Sequence, residues 1–375
     1  TSTDNYNVAI GFSAGLSVTT GIKNTLIGGL AGDAITTGQN NVALGYDSLG
    51  TNTGSNANVA IGYEALQTFN VTTDTSTFNT AVGTQAGKAM TTGIENTLIG
   101  GLAGDVLTNA DKNVAVGRGA IGSDTLGSKS VAVGFQALGD QNFTTATDTH
   151  NVAMGYEAGA SVSTGILNTL IGYAAGDALT DADHNVVLGT NALGTDTLGS
   201  KSIAIGVQAL ATQNFTTATD AHNVAIGHQA GVSVTTGNQN TLLGSLSGDA
   251  VTTGIQNVAV GMNSLGALTD ADYNVAVGAY ALDGDTMGSQ TTAIGYGALS
   301  AQNFSTAANS FNTAVGYTSG LSVTTGVQNT LIGGLAGTLL TASNQNVAVG
   351  HGSLDAETAA ARNTAIGTNS LTTQN

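Results

Sequence analysis

Apolar and polar positions recur along this chain with a fixed period. Aligned on Asn-Val/Thr-Ala/Leu-Ile/Val/Leu-Gly, the pattern begins at residues 7, 24, 41, 58, 79, 96, 113, 130, 151, 168, 185, 202, 223, 240, 257, 274, 291, 312, 329, 346 and 363. These 21 rungs, each numbered from its first residue as position 1, cover essentially the whole sequence. Starts are 17 residues apart, except after 58, 130, 202 and 291, where the gap is 21. Position 5 is Gly in all 21 rungs, and position 8 is always Ala or Ser. Position 1 is Asn in 18, the exceptions being Ser130, Ser202 and Thr291. A short unit repeated in this way cannot bury its own apolar face, and it becomes stable by stacking on its neighbours.

Positions 2 to 4 alternate with the period of a strand. Gly at position 5 marks a bend or a close backbone approach, and "TTG", "TNAD" and "TDAD" late in the rung read as turns. Each rung is therefore expected to hold a short strand, a bend, a second short strand near positions 8–12 and a turn. Stacked in parallel, the rungs make an all-β β-roll or β-solenoid of 21 turns, one continuous domain over residues 1–375. Positions 2 and 4 are expected to fill the inside, with position 3, mostly Ala with Leu recurring, facing the other way. A strand apolar on both faces is buried on both, so several chains are expected to associate laterally.

Two rung types alternate in pairs. Ten rungs have Gly at position 9 and an apolar residue at position 12, such as Ile35 or Leu107; the other eleven have Leu or Ile at position 9. One bulky group is removed where another is supplied, as a core of constant volume requires. The result is a 72-residue super-repeat, broken once by an extra rung around 257–290.

The fixed positions are represented by Asn24, Asn96, Asn168, Asn240 and Asn329 and by Gly28, Gly100, Gly172, Gly244 and Gly333. Stacked asparagines read as a side-chain amide ladder rather than a metal or ligand site, because a residue present in nearly every rung is not one site. The glycines are expected where φ is positive or where a side chain would strike a neighbouring rung or chain.

Composition narrows the function. There are 54 Gly, no Pro, no Cys and no Trp. The absence of Pro suits a chain whose N–H groups are wanted for a ladder, and the absence of Cys excludes thiol chemistry. A net charge of −17 argues against nucleic acid and anionic membrane surfaces as partners, and no apolar stretch is long enough for membrane insertion. No catalytic motif occurs, so neither enzyme activity nor a cofactor is expected. A polysaccharide-degrading site would need a carboxylate pair in a groove that breaks the repeat, and no rung departs far enough.

His150 and His222 share a rung position with Phe78 and Phe311, so that position is not a dedicated ligand. The acidic turns (Asp111; Asp181 and Asp183; Asp270 and Asp272) are the best metal candidates, for Ca²⁺, against plain Asx turns with solvated carboxylates. Thr-rich turns such as "SVTTG" do not keep the T-x-T regularity of an ice-binding surface. The four longer rungs are expected to expel their extra residues, within 67–78, 139–150, 211–222 and 300–311, as outward loops. Their recurrent Phe69, Phe143, Phe215 and Phe304 are expected to fold back and pack, because burying a ring is favourable.

The pattern Asn-Val-Ala-Ile-Gly with Ala at position 8 resembles the left-handed parallel β-roll of trimeric autotransporter adhesin heads, whose motif reads much like Ser-Val-Ala-Ile-Gly. Rungs in those heads are shorter than 17 residues, so the turns differ. "NTLIGGLAGDAITTG" (24–38) and "NVAIGYEAL" (58–66) resemble repeats in tail-fibre proteins of marine bacteriophages. The resemblance covers the whole chain and implies a homotrimeric fibre. It implies an extracellular structural or adhesive role, as the rigid shaft of a virion tail fibre whose flanking tip binds a host cell-surface receptor. The alternative is a bacterial trimeric surface adhesin that binds host or abiotic surfaces directly. On either reading the chain is expected to be a segment of a longer fibre.

Overall fold

The computed structural model describes residues 4–355 and 361–372. Among them every regular element is a short β-strand. The chain forms two compact units, Thr1–His184 and Asn185–Asn375. The first stacks ten three-residue strands, from Val8–Ile10 to Thr169–Ile171, and the second stacks eleven, from Val186–Leu188 to Thr364–Ile366. Each is a parallel β-solenoid with one turn per rung, about 21 turns in all. Like positions pair: Val8 with Thr25, Ala9 with Leu26 and Ile10 with Ile27. The longer rungs keep this register, as Val59 opposite Thr80 shows.

Strand orientation is the reverse of the sequence expectation. Position 3 points into the solenoid, so that Leu26, Ala43 and Ala60 are buried, while positions 2 and 4 face outward. The cause is the narrowness of the interior, which Ala at positions 3 and 8 already fills. Leu fits at position 3 only in the second rung of each glycine pair. A Cβ placed on Gly15 or Gly32 would lie 2.8 Å from a Leu26 methyl, so two position-9 glycines make room for one leucine. The apolar position-12 side chains, Ile35 and Leu107 among them, complete the same layer.

A second strand at positions 8–12 does not form. Residues 7 and 9 of a rung adopt left-handed φ, as in Asp47 (54°) and Leu49 (55°), and alternating hands cannot continue an extended strand. Overlapping turns result: Ala14 N–H to Gly11 O, Leu16 N–H to Ser13 O and Val18 N–H to Gly15 O, at 3.4, 3.3 and 3.1 Å. Between them, Gly15 and Ser17 donate to Ala31 O and Asp33 O of the next rung at 3.0 and 2.9 Å.

The position-5 glycines sit where expected. Gly28, Gly100, Gly172, Gly244 and Gly333 have φ between 134° and 143°, a region closed to other residues. A Cβ on Gly100 would also meet Gly117 O of the next rung at 2.6 Å.

The asparagines form a clip as well as the expected amide ladder. Asn24 Nδ2 donates to Gly38 O, fourteen residues on in the same rung, at 2.8 Å, and Asn24 Oδ1 accepts the Asn41 N–H at 3.0 Å. Asn96, Asn168, Asn240 and Asn329 donate likewise to Ala110, Ala182, Gly254 and Ser343 at 2.7–2.8 Å. Amide-to-amide contacts are longer, 3.3 Å from Asn96 Nδ2 to Asn79 Oδ1.

Where position 1 is Ser or Thr, a glutamine takes over. Gln141 Nε2 donates to Asp124 Oδ2 (2.6 Å) and Ser130 Oγ (3.1 Å), and its Oε1 accepts from Asn151 Nδ2 (2.9 Å). Asp124 Oδ1 accepts the Gly127 and Phe143 N–H groups, both at 3.0 Å. Gln213 with Asp196 and Gln302 with Asp285 repeat the arrangement.

The four extended rungs fold back as expected, with Phe69, Phe143, Phe215 and Phe304 all buried. They are not equivalent, however. Phe143, Phe215 and Phe304 sit at position 14, whereas Phe69 sits at position 12, in the place of the glutamine, and its rung keeps Asn58. In the other three, the extra chain ends in a two-residue strand, such as Thr147–Asp148 paired with Gly127–Ser128. The tips, 144–146 for example, are exposed.

Two outcomes test this account by circular dichroism during thermal or urea unfolding. Gly100→Ala should destabilise by more than about 3 kcal/mol, while Asp181→Asn, which keeps its acceptor oxygen, should stay within about 0.5 kcal/mol. Gln141→Ala leaves Asp124 Oδ2 without its donor and takes one acceptor from the Asn151 amide, and should cost about 2–4 kcal/mol.

Candidate interaction surface

The outward face of the strands carries no charged residue at position 2 or 4 in any of the 21 rungs. Position 2 is Val, Thr or Ile and position 4 is Ile, Leu, Val or Met. Leu44, Met154 and Leu188 are 43–46% exposed. The residues flanking this face on either side, at position 6 and immediately before position 1, are equally distinctive. The chain has eight Phe and nine Tyr, and all of those that are exposed lie in these two columns. Position 6 supplies Phe12, Tyr46, Tyr63, Tyr156, Tyr173, Tyr296 and Tyr317; the column before position 1 supplies Tyr6, Phe78, Tyr273 and Phe311. The five His lie there too, His228 and His351 at position 6, His150, His184 and His222 before position 1, and all are exposed.

Rings at position 6 stack along the solenoid: Tyr46 on Tyr63 at 5.8 Å, Phe135 on Tyr156 at 5.1 Å, Tyr156 on Tyr173 at 5.6 Å and Tyr296 on Tyr317 at 5.6 Å. Arg118 lies over Phe135 at 5.7 Å. Beyond position 6, acids occupy position 7 or 10 in nine rungs. Burial raises the carboxyl pKa of Asp105, Asp177 and Asp249 at position 10, and Glu157 adds to the effect at Asp177. Glu64 goes the other way, to about 2, because Lys88 and Gln85 hydrogen-bond its carboxylate. A cavity of about 400 Å³ opens where position 7 or 10 shrinks to Gly119, Gly122 and Gly139; Asp105, Arg118, Gln136 and Asp140 also line it.

The acidic turns act as clips between rungs. Asp183 Oδ1 accepts the Ile166 N–H at 2.7 Å and Asp272 Oδ1 the Ile255 N–H at 2.8 Å, as Asp111 does from Ile94. Asp181 accepts from Thr164 Oγ1 at 2.7 Å, and Asp270 from Thr253. Among the described residues no three His, Asp or Glu side chains gather as metal ligands would. A second clip went unread in the sequence. Thr recurs at position 13, and its hydroxyl donates to the position-13 carbonyl of the next rung, Thr19 to Thr36 O and Thr108 to Thr125 O, both at 3.0 Å. The signal was present, since Thr or Ser fills that position in most 17-residue rungs. These hydroxyls are committed to the stack.

No helix among the described residues is long and apolar enough to cross a membrane. No protein-family model matches the chain, and no curated protein matches it significantly.

The position-10 aspartates set a pH response. Their folded pKa lies above the unfolded value, so protonation favours the fold. Stability should rise as pH falls through the raised pKa towards the ordinary carboxylate range and be lost as pH rises. Glu64 acts in the opposite sense, its contribution being lost as pH falls from the ordinary carboxylate range through about 2. The thermal midpoint at about pH 4, the ordinary carboxylate pKa, is expected to exceed that at about pH 8. Asp105→Asn combined with Asp177→Asn and Asp249→Asn should narrow the gap, and an unchanged gap would refute the assignment.

Proposed function

We propose that this chain is a structural segment of an extracellular fibre, the rigid shaft of a phage tail fibre, in which three identical copies pack through their outward strand faces. One observation carries the reading: an uncharged, ring-bordered sheet face repeated rung after rung in a chain of net charge −17. Exposed apolar area of this kind marks an interaction surface, and aromatic enrichment with charge depletion is the composition of an interface core. The acids beside it disfavour a membrane or nucleic acid as the occupant. An occupant must present uncharged surface at the same spacing, which a second copy does. The dense hydrogen bonding between rungs suits a spacer that carries a receptor-binding tip elsewhere in the fibre.

The alternative, a bacterial trimeric surface adhesin, shares this assembly but contacts its target directly. The exposed insertion tips at 144–146, 216–218 and 305–307 are the feature that favours it. Labelled chain binding to cells without a tip would select it.

Light scattering should give about three times the 36.8 kDa chain mass. Ile99→Asp with Ile171→Asp should give a folded monomer, because a charge buried without a partner is strongly unfavourable. A native chain that is monomeric and folded would overturn the proposal.

A further inference from the structure

We infer that the four extended rungs carry glycosylation sites, with the side-chain amide nitrogens of Asn70, Asn142, Asn214 and Asn303 as the acceptors of a sugar. The inference goes beyond the fibre reading and holds for a single chain, whatever its assembly.

The sequence places the motif. Four of the 34 Asn stand in Asn-x-Ser/Thr, the acceptor pattern of N-linked glycosylation, and they are position 13 of the four extended rungs. Position 13 is Thr or Ser in all sixteen complete 17-residue rungs, so the change to Asn accompanies the insertion. What varies around it is what the motif leaves free. The middle residue is Val71 in one rung and Phe in three, and the hydroxyl belongs to Thr72, Thr144, Thr216 or Ser305. Pro, which the middle position excludes, is absent from the chain. The position-1 asparagines do not qualify, because an apolar residue follows at position 3 and amides such as that of Asn24 are buried.

The structure presents the groups that would react. Asn142, Asn214 and Asn303 are exposed, Asn70 is half-buried, and the hydroxyl residue two further on is exposed in all four. Between them Phe143, Phe215 and Phe304 are buried, which pins the segment and leaves the amide and the hydroxyl outside. The stack does not use the amide nitrogen. Asn142 and Asn303 join it through the backbone, N–H to Ser163 O at 2.9 Å and to Thr324 O at 3.0 Å. The Thr125 hydroxyl has Phe143 O at 2.8 Å and reaches Asn142 Oδ1 only at 3.5 Å. At Asn70 the oxygen serves, accepting from the Thr53 hydroxyl at 2.9 Å. Among the described residues none accepts a hydrogen bond from the four Nδ2 atoms. Glycosylation at Nδ2 leaves Oδ1 in place, so these contacts survive it.

The donor is a glycosyl diphosphate, nucleotide- or lipid-linked, used by a transferase of the producing cell. The bond from sugar C1 to the phosphate oxygen breaks, a C1–Nδ2 bond forms, the diphosphate leaves, and one amide proton passes to a base of the transferase. The bulky, hydrated product stands beside the bare tips at 144–146, 216–218 and 305–307.

Peptide mass mapping of the chain purified from the cells or particles that make it tests this, with fragmentation that keeps sugars attached. Added sugar mass is expected on Asn70, Asn142, Asn214 and Asn303. A single sugar, from a nucleotide-linked donor, and a preassembled sugar chain, from a lipid-linked one, both support the inference. Thr144→Val with Thr216→Val, made in the same source, should lose the sugar from Asn142 and Asn214 and keep it on Asn70 and Asn303, with an unchanged unfolding midpoint. Four unmodified asparagines in the native chain would overturn the inference. So would sugar on the neighbouring Thr and Ser hydroxyls instead, or sugar retained on Asn142 and Asn214 in the double variant.

Discussion

A strand of three residues is too short to hold a solenoid turn closed, and the position-1 asparagine does what the strand cannot. Its amide nitrogen reaches a carbonyl fourteen residues further along the same rung, and its oxygen takes the N–H of the next rung, as Asn24 does with Gly38 and Asn41. One side chain thus closes the turn laterally and ties it axially. Both bonds are buried, where an orphaned group costs about 1–3 kcal/mol. Aspartate could accept but not donate, and it would bring an unpaired charge inside. A primary amide supplies both functions without a charge. This explains the three exceptions, Ser130, Ser202 and Thr291: in each, a glutamine from the same rung delivers the missing amide, and a buried aspartate from the rung before anchors it.

The rest of the cross-section follows from how little room such a turn encloses. Alanines at positions 3 and 8 nearly fill it. The larger Ile, Val and Leu of positions 2 and 4 have nowhere to go but outward. Rung types alternate in pairs because one leucine at position 3 needs glycine at position 9 in its own rung and in the rung before. The space between rungs is as tightly constrained, since the position-5 glycines lie against the next rung's backbone with no gap for a methyl group. Interior packing therefore decides the character of the exterior.

Much of this was legible in the sequence. Period, parallel stacking, register and the glycine positions were plain because each is written in nearly every rung. Orientation was misread because both strand faces are apolar, so that hydrophobicity alone does not say which is inside; side-chain volume does, since Ala and not Ile fits a thin roll. The absent second strand had no clear signature, because the left-handed residues at position 7 include Asp47, Gln85 and Tyr280 and share no side-chain type. Phe69 was grouped with three other phenylalanines by proximity, although counting from position 1 separates them. The columns of exposed rings could have been found by tallying Phe, Tyr and His by rung position rather than seeking catalytic spacings among them.

Placing apolar side chains outside exposes a long chain to indiscriminate sticking. The charge pattern restrains it. The acids are kept off the strand face and lie mainly beyond position 6 and in the turns before position 1, where they border the apolar surface without interrupting it. A short or irregular apolar partner gains few contacts and still meets that negative potential, so its affinity stays low. A partner with the same rung spacing gains a contact in every turn, and small contributions accumulate along the stack. Selectivity then comes from repetition rather than from any single strong contact. The uniformity of positions 2 and 4 through all 21 rungs is what such a surface requires, because one charge there would interrupt the apolar face.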